Sequence, residues 1–254
     1  MFCELSNRIG QMETDVSMAE NGRNQRTELS PRQVPAYGIS EAAHYLQLPT
    51  ATLRSWVRGR RYPLAGGSTG FFRPVIVLPD PKQSLLSFIN LVEAHALDAI
   101  RRTHGIELRK VRTAIQYLRE YLGVKHPLAY RQMLTDGCDL FVKRYAELIN
   151  VSQEGQLGMA DILMAYLRRV EWDETGLALR LYPFTRKKEL DEPKFIVIDP
   201  YVSFGKPVLV GTGVPTSVVA ERYKAGESVD ELADDYGLGR TSVEEAIRCE
   251  LRAA

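Results

Sequence analysis

The sequence has few of the residues from which disulfide frameworks and membrane spans are built. Its three cysteines, Cys3, Cys138 and Cys249, are widely spaced and include no CxxC pair, which argues against a disulfide framework and a structural zinc site. The chain also lacks a run of about 18 apolar residues and the apolar core of a signal peptide. We therefore expect a cytoplasmic protein that does not interact with a membrane.

Motifs of catalysis and cofactor binding are absent as well. Gly205-Lys206 is not part of a GxxxxGK[ST] loop, and Pro207 follows where a phosphate-binding helix would begin. There is no GxSxG elbow, and the four histidines have no HxxH or HExxH spacing: His44, His95, His104 and His126. We expect no catalytic residue, no metal ion and no cofactor, and hence no enzyme.

The total charge has no strong sign. The 254 residues include 33 lysines and arginines and 32 acids, and a net charge of +1 says little about partners because a basic and an acidic face can cancel. With 44% hydrophobic and 26% charged residues, the composition is that of a globular protein, and the length predicts about two compact units. Local charge is therefore the more informative quantity.

Residues 36–80 have the pattern of a winged helix-turn-helix. A short apolar-periodic helix beginning near Ile39 ends in the turn at Leu48-Pro49, and a second helix follows with Thr50 placed as its cap and Gly59 as its stop. The helical spacing puts three residues on the buried side of this second helix: Leu53, Trp56 and Val57. The next residues place aromatic segments on both sides of a Gly/Ser-rich tip, which predicts a β-hairpin wing.

Residues 81–182 are predicted to form a helical and small-sheet middle domain. The first predicted helix carries one apolar stripe, formed by Leu85, Phe88, Ile89, Val92, Ala96 and Ile100. After Gly105 five apolar residues recur at the spacing of a helical seam: Leu108, Val111, Ile115, Leu118 and Leu122. The seam is either a dimer zipper or an ordinary two-helix core, and we expect a homodimer. Short extended runs predict a small sheet, at residues 140–142, 148–149 and 177–182.

The two ends of the chain differ in character. Residues 1–35 are polar and poorly periodic, which predicts a mobile tail. Residues 183–194 are charged and lack an apolar period, which predicts a linker before an acidic helix-turn-helix-like domain at 195–254. That domain begins with a short apolar strand and closes with two helices, for which two capping boxes are predicted: Ser228 with Glu231, and Ser242 with Glu245.

Two units of the chain share an architecture but not a charge. A gap-free overlay of Ile39–Val57 on Val229–Ile247 pairs apolar with apolar residues at the packing positions. Tyr37–Arg73 carries five arginines and one acid, a balance of +4, whereas Ala225–Glu250 carries two arginines and eight acids, a balance of −6. Because duplex DNA is bound largely through phosphate neutralisation, the first unit is predicted to bind DNA and the second is not.

We predict that the helix beginning at Thr50 enters a major groove and that the wing contacts phosphates or a neighbouring minor groove. The predicted DNA-binding residues are Thr50, Thr52, Arg54, Ser55, Trp56, Arg58, Arg60, Arg61 and Arg73. A further basic stretch, Arg101–Arg131, holds eight lysines or arginines and two glutamates. It either extends the DNA footprint or forms the solvent side of the helical seam.

The string Thr52-Leu53-Arg54-Ser55-Trp56, together with the wing, resembles the MerR-like and excisionase-like winged helix-turn-helix domains. The resemblance implies that Arg54 and Trp56 lie at the DNA backbone and that the wing also contacts DNA. Ser55 stands where those regulators often have an aromatic residue, so their detailed contacts are not carried over.

The C-terminal residues resemble domain of unknown function 433, through Ile198-Asp199-Pro200, Gly205-Lys206-Pro207-Val208 and Gly211-Thr212-Gly213-Val214-Pro215-Thr216 with the final helices. Such domains occur in VapB-type antitoxins encoded beside PIN-like ribonuclease toxins. The family commonly has GTR where this chain has Gly211-Thr212-Gly213. The resemblance implies an antitoxin that neutralises a PIN-like ribonuclease toxin from a neighbouring gene and binds operator DNA to autorepress its operon.

The expected fold class is mainly α with small β elements, an α+β arrangement.

An acidic C-terminal module would complement the basic RNA-binding surface of a nuclease. The alternative function is a stand-alone dimeric MerR-like transcription regulator, whose middle domain senses a small molecule or simply dimerises. A neighbouring gene for a small nuclease would favour the antitoxin, and its absence would favour the regulator.

Overall fold

The computed structural model describes residues 30–64, 67–103, 108–150, 152–186 and 191–251. Helices predominate, and the strands form one hairpin and one four-stranded antiparallel sheet, which confirms the predicted α+β class. No helix within these ranges is long and apolar enough to cross a membrane. Residues 1–29 of the predicted tail lie outside the described residues, whereas Arg32 is held by an ion pair of 2.6 Å with Asp173.

The first unit is a helix-turn-helix followed by a hairpin. Its elements are helix α1 (Ile39–Tyr45), helix α2 (Thr50–Arg58), strand β1 (Arg60–Pro63) and strand β2 (Thr69–Phe72). Gly59 ends α2 with a φ of 75°, a left-handed conformation that favours glycine. The prediction that Thr50 caps α2 is wrong, because Thr50 is the first helical residue and Pro49 precedes it in extended conformation without a side-chain cap.

Four helices fill the middle of the chain: α3 (Phe88–Thr103), α4 (Leu108–Leu122), α5 (Asp136–Ile149) and α6 (Gln153–Leu167). Every residue from Phe88 to Ile100 is buried, so α3 is the central helix of the largest apolar core. The seam on α4 packs inside the chain against α5, and Val111, Ile115 and Leu118 are at most 3% exposed. A dimer zipper through this seam is therefore excluded.

The extended runs predicted at 140–142 and 148–149 are wrong, because both lie in α5. A short apolar run has the same composition in a strand and in a buried helix, and periodicity alone does not separate them. The buried rings of Phe141 and Tyr145, one helical turn apart, stack with centroids 5.9 Å apart. These residues form a helix because a helical conformation packs this face into the core.

The four-stranded sheet crosses the position of the predicted linker. Its strands are β3 (Val170–Trp172), β4 (Ala178–Leu181), β5 (Ile196–Ile198) and β6 (Pro207–Leu209), in that order. The buried Arg169 donates to the carbonyls of Tyr182, Pro183 and Glu192. The chain is therefore anchored on both sides of residues 187–190, which lie outside the described residues.

Three helices close the chain: α7 (Thr216–Lys224), α8 (Val229–Tyr236) and α9 (Arg240–Leu251). The Ser228–Glu231 capping box at the start of α8 is confirmed. The predicted Ser242–Glu245 box is wrong, because α9 already begins at Arg240 and Glu245 is buried. There the Glu245 carboxylate accepts from the Thr185 hydroxyl at 2.6 Å and pairs with Arg186, a third fixed point of the predicted linker.

Candidate nucleic-acid interface

Helix α2 presents a polar face to solvent between its buried apolar side chains. Arg54 and Arg58 are exposed, and Thr52 and Ser55 are half-buried beside them. The Ser55 hydroxyl donates to the carbonyl of Thr52 at 2.7 Å, which fixes the hydroxyl and leaves its lone pairs as acceptors. The face can therefore offer two guanidinium groups and the Thr52 hydroxyl as donors to phosphates, whereas the Ser55 oxygen can only accept a hydrogen bond.

All five arginines predicted to bind DNA are exposed: Arg54, Arg58, Arg60, Arg61 and Arg73. Within the described ranges none of them forms an ion pair. Arginine carries a permanent positive charge and forms bidentate hydrogen bonds with phosphate. The first unit thus presents unneutralised cations on neighbouring elements.

Trp56 belongs to the predicted DNA-binding set, but the structure places it in the core. Its side chain is 1% exposed, so a direct DNA contact is excluded in this conformation. Its backbone carbonyl accepts from the amides of Val75, at 2.8 Å, and Ile76, at 3.1 Å. Trp56 therefore holds α2 against the segment that leaves the wing and acts on the interface only through the position of α2.

The wing is a short antiparallel hairpin that pairs Arg60 with Phe72 and Arg61 with Phe71. The rings of Tyr62 and Phe72 stack with centroids 4.1 Å apart, which stiffens the hairpin. A Cβ at Gly70 would lie 2.4 Å from the Tyr62 ring, so any larger residue would displace this ring from its present position. Arg60 and Arg61 are exposed on β1 and follow Gly59 directly, so the basic residues of α2 continue into the wing along the sequence.

Arg112 is a basic residue that the predicted site omits. It lies on α4, and its guanidinium donates to the carbonyls of Arg73 and, at 3.2 Å, Pro74. Burial and the charge of Arg73 lower the pKa of Arg112. With Arg58 and Arg73, Arg112 lines a groove of about 640 Å³ at the base of the wing. The sequence signal for it was the basic stretch Arg101–Arg131.

The second helix-turn-helix repeats the geometry of the first. Helices α8 and α9 begin at Val229 and Arg240, each 190 positions after the starts of α1 at Ile39 and α2 at Thr50 (229 − 39 = 190 and 240 − 50 = 190). The same offset places Glu244 at the position of Arg54 and Arg248 at that of Arg58. The backbone plan is shared, while the charge at the Arg54 position is reversed.

The acids of this second unit are largely paired with basic side chains. Five of the eight acids in Ala225–Glu250 are in ion pairs with arginines: Glu227 and Asp235 with Arg222, Asp230 and Glu244 with Arg240, and Glu245 with Arg186 and Arg248. A carboxylate oxygen of a sixth acid, Glu250, lies 3.5 Å from His44 Nε2. Hydrogen bonds from Arg222 lower the pKa of Glu227. The unit keeps its negative balance, but its two helix-turn-helix arginines are already engaged with carboxylates.

Three contacts join the first unit to the C-terminal part of the chain. The Tyr37 hydroxyl donates to the carbonyl of Gly205 at 3.0 Å, and the Gln47 amide donates to the carbonyl of Phe184 at 2.7 Å. His44 Nε2 lies 3.5 Å from a carboxylate oxygen of Glu250. Burial raises the pKa of Tyr37, so its hydroxyl stays protonated and remains a donor. The two helix-turn-helix units are therefore in direct contact.

Two further features bear on chemistry. Among the described residues no group of three or more His, Cys, Asp or Glu side chains is arranged to hold a metal ion. Cys138 and Cys249 are free and buried, and burial raises the pKa of each thiol to about 12. Both thiols are therefore protonated and poor nucleophiles near neutral pH.

Two known family models match this chain, one over each helix-turn-helix unit. The family model described as "Putative DNA-binding HTH domain" matches residues 35–115, and the one described as "Protein of unknown function (DUF433)" matches residues 196–248. The first match extends beyond the wing to include Arg112. The N-terminal unit is thus a helix-turn-helix domain of a DNA-binding type.

Similar proteins come from Mycobacterium tuberculosis. The chain is 27% identical to "Uncharacterized protein Rv2308" over 229 residues, 87% of this chain and 91% of that protein. The crystal structure of Rv2018 shares the fold, with a TM-score of 0.61 and 24% identity over 85% of this chain and 98% of that one. "Putative antitoxin VapB45" is 30% identical over 230 residues, 84% of this chain and 93% of that protein. The chain, which joins an N-terminal helix-turn-helix to a C-terminal DUF433 domain, therefore belongs to the VapB-type antitoxin family of VapB45.

Proposed function

We propose that this chain is an antitoxin that neutralises a PIN-like ribonuclease toxin encoded by a neighbouring gene and binds operator DNA to autorepress the shared operon. It acts in the cytoplasm as a homodimer and is not an enzyme. Membership of the VapB45 family and the helix-turn-helix domain support this function. Because the α4 seam is buried within the chain, the dimer uses another surface.

One observation carries the DNA-binding half of the proposal. Five exposed arginines on α2, the wing and the end of the wing have no ion pair in the described chain, whereas the arginines of the second helix-turn-helix are paired with acids. Neutralising phosphates with unpaired cations releases condensed counterions, which drives association. Cations that already pair with carboxylates gain less from phosphate.

The direct test of the proposal is growth rescue combined with a promoter reporter. Expression of the neighbouring PIN-like nuclease should arrest growth, and co-expression of the full chain should restore growth. The full chain should also co-purify with the nuclease. The double variant Arg54→Ala/Arg58→Ala should still rescue growth while losing repression of a reporter driven by the operon's promoter. Failure of the unaltered chain to rescue or bind the nuclease, with repression intact, would favour a stand-alone MerR-like regulator.

A further inference from the structure

The tight turn before β6 carries a strained and exposed aromatic residue. Ser203, Phe204 and Gly205 have consecutive φ values of 47°, 57° and 75°, all in the left-handed region. The Phe204 side chain is 96% exposed, and the neighbouring Tyr201 is 55% exposed. Left-handed conformations disfavour residues with a Cβ, so this turn holds a large apolar side chain in water at the expense of backbone strain.

The turn is held rigidly from three sides. Ser203 Oγ donates to the carbonyl of Gly213 at 2.9 Å, and the Tyr201 amide donates to the Asp199 carboxylate at 2.9 Å. Asp199 is in turn paired with Arg180 at 2.8 Å, on β4 of the sheet. From the DNA-binding unit, the Tyr37 hydroxyl donates to the carbonyl of Gly205. These contacts fix the backbone but leave the Phe204 ring without a covering side chain.

Gly205 shows why the turn takes this path. A Cβ at Gly205 would lie 2.3 Å from the Tyr37 hydroxyl, so the close approach of Tyr37 requires glycine. Nothing comparable requires an aromatic residue at Phe204, since a polar residue or glycine would satisfy the same backbone without exposing a ring. Strained backbone that a surrounding network enforces is characteristic of binding sites.

We propose that Phe204, supported by Tyr201, is the anchor with which this chain inserts into an apolar pocket of its ribonuclease partner. The backbone of Phe204 is already fixed, so association orders only the rotamer of the ring, and phenylalanine is among the residues enriched at protein interfaces. The inference rests on the proposed antitoxin function and adds the contact residues, which that function leaves open.

The net charge of the C-terminal domain favours a basic partner. Residues 195–251 carry five lysines and arginines (Lys206, Arg222, Lys224, Arg240 and Arg248) and ten acids, a balance of −5. Two copies of this domain would repel each other, and RNA would be repelled as well. A nuclease that binds RNA needs a basic surface, so a nuclease with an apolar pocket at that surface complements both the ring and the net negative charge of the domain that carries it.

The experiment measures the affinity of the purified full chain for the purified PIN-like nuclease from the neighbouring gene, by biolayer interferometry. Phe204→Ala should weaken binding at least tenfold, as hot-spot truncations do. Phe204→Gly should weaken it as much without lowering Tm, because glycine relieves the left-handed strain. The matched control is Tyr121→Ala, which truncates a 60% exposed aromatic on α4 and should bind like the unaltered chain.

Each outcome has one meaning. If the unaltered chain binds the nuclease and both Phe204 variants bind equally well, the anchor is refuted while the antitoxin function stands. If the unaltered chain does not bind the nuclease, the proposed function fails and the inference falls with it. If the Phe204 variants keep nuclease affinity but sediment as a smaller species, the ring contacts a second copy and the proposal is overturned.

Discussion

Trp56 shows how a single buried residue controls a surface. It is among the largest fully buried side chains, and it joins α2 to the segment after the wing through its carbonyl. Trp56→Ala should lower the free energy of unfolding by about 3–5 kcal/mol, because the cavity cannot collapse fully. Urea denaturation measures the loss, and Phe71→Ala, which truncates a 54% exposed ring, serves as the control with a change of about 0.5 kcal/mol or less. Equal stability of the two variants would contradict the buried role.

A comparison of Gly59 with Gly67 separates the stability cost of backbone strain from the cost of a steric clash. Gly59 and Gly67 both have positive φ, of 75° and 81°, but only a Cβ at Gly59 meets a neighbour, the Phe72 carbonyl oxygen at 2.2 Å. Gly67→Ala should cost about 1 kcal/mol from backbone strain alone. Gly59→Ala should cost clearly more in the same denaturation measurement, since β2 must also move. Equal losses of stability in the two variants would show that the Phe72 carbonyl does not approach Gly59 this closely.

Residue-scale features were predictable where one local pattern decided them. Helical spacing predicted that Leu53, Trp56 and Val57 are buried, and glycine at position 59 predicted the end of α2. The caps at Thr50 and Ser242 were not predictable, because the two helices begin earlier than expected, by one position at Thr50 and by three positions at Ser242. The burial of Glu245 depends on Thr185 and Arg186, sixty and fifty-nine residues away, which no local pattern records.

At the scale of elements, the wing is an independent contributor to the interface. Arg60 and Arg61 lie on β1 and are exposed. The double variant Arg60→Ala/Arg61→Ala should reduce the salt dependence of operator binding by about two phosphate contacts, one for each arginine. Fluorescence anisotropy at several salt concentrations measures it. Arg144→Ala, which removes an arginine paired with Glu147 on α5, should leave the dependence unchanged; a matching loss there would argue for unspecific charge effects.

The elements themselves were predicted unevenly. Turn residues and aromatic pairs sufficed for α1, α2 and the hairpin, because proline and glycine punctuate these short segments. Helices α5 and α6 were missed because their apolar runs are interrupted and short, and packing against α3 and α4 determines them. Helix α7 was missed because its first residues, after two prolines and several glycines, suggested only turns.

At the scale of the whole molecule, acid should loosen the contacts that join its parts. Burial alone would raise the pKa of Asp173, but hydrogen bonds from Thr175, Arg32 and the Leu177 amide outweigh it and lower the pKa from 3.8 to about 2. Burial alone would also raise the pKa of Glu250, but hydrogen bonds from His44 and Thr216 outweigh burial and lower that pKa. A carboxyl with a lowered pKa stabilises the fold above its ordinary pKa, and this stabilisation is lost as pH falls.

The unfolding free energy should therefore decrease between about pH 4 and pH 2 through Asp173. Arg32→Ala should be less stable near neutral pH and show a flatter decrease over that interval, because Asp173 then titrates nearer its ordinary pKa. Denaturation at a series of pH values gives both quantities, with Arg144→Ala as the variant that should keep the original slope. A parallel slope for Arg32→Ala would show that the pair contributes nothing.

The division of charge between the two helix-turn-helix units was visible in the sequence, but their contact was not. The counts of +4 and −6 and the gap-free overlay follow from residue identities alone. Contacts such as Tyr37 with Gly205 and His44 with Glu250 join residues far apart in the chain, and the predicted linker gave no sign of them. The charge of Ala225–Glu250 also overstated its free acidity, since Arg222 lies just outside that range.

The most direct test compares equivalent arginines on the two units. Arg58 and Arg248 occupy the same position on α2 and α9, and only Arg248 is beside an acid, Glu245 at 3.4 Å. Affinity for a duplex from the operon's promoter, measured by anisotropy against salt concentration, should weaken for Arg58→Ala and for Arg54→Ala, with a salt slope smaller by about one in each. Arg248→Ala should match the unaltered chain. Loss of affinity and slope in Arg248→Ala, with Arg58→Ala unchanged, would contradict the assignment of DNA to the first unit.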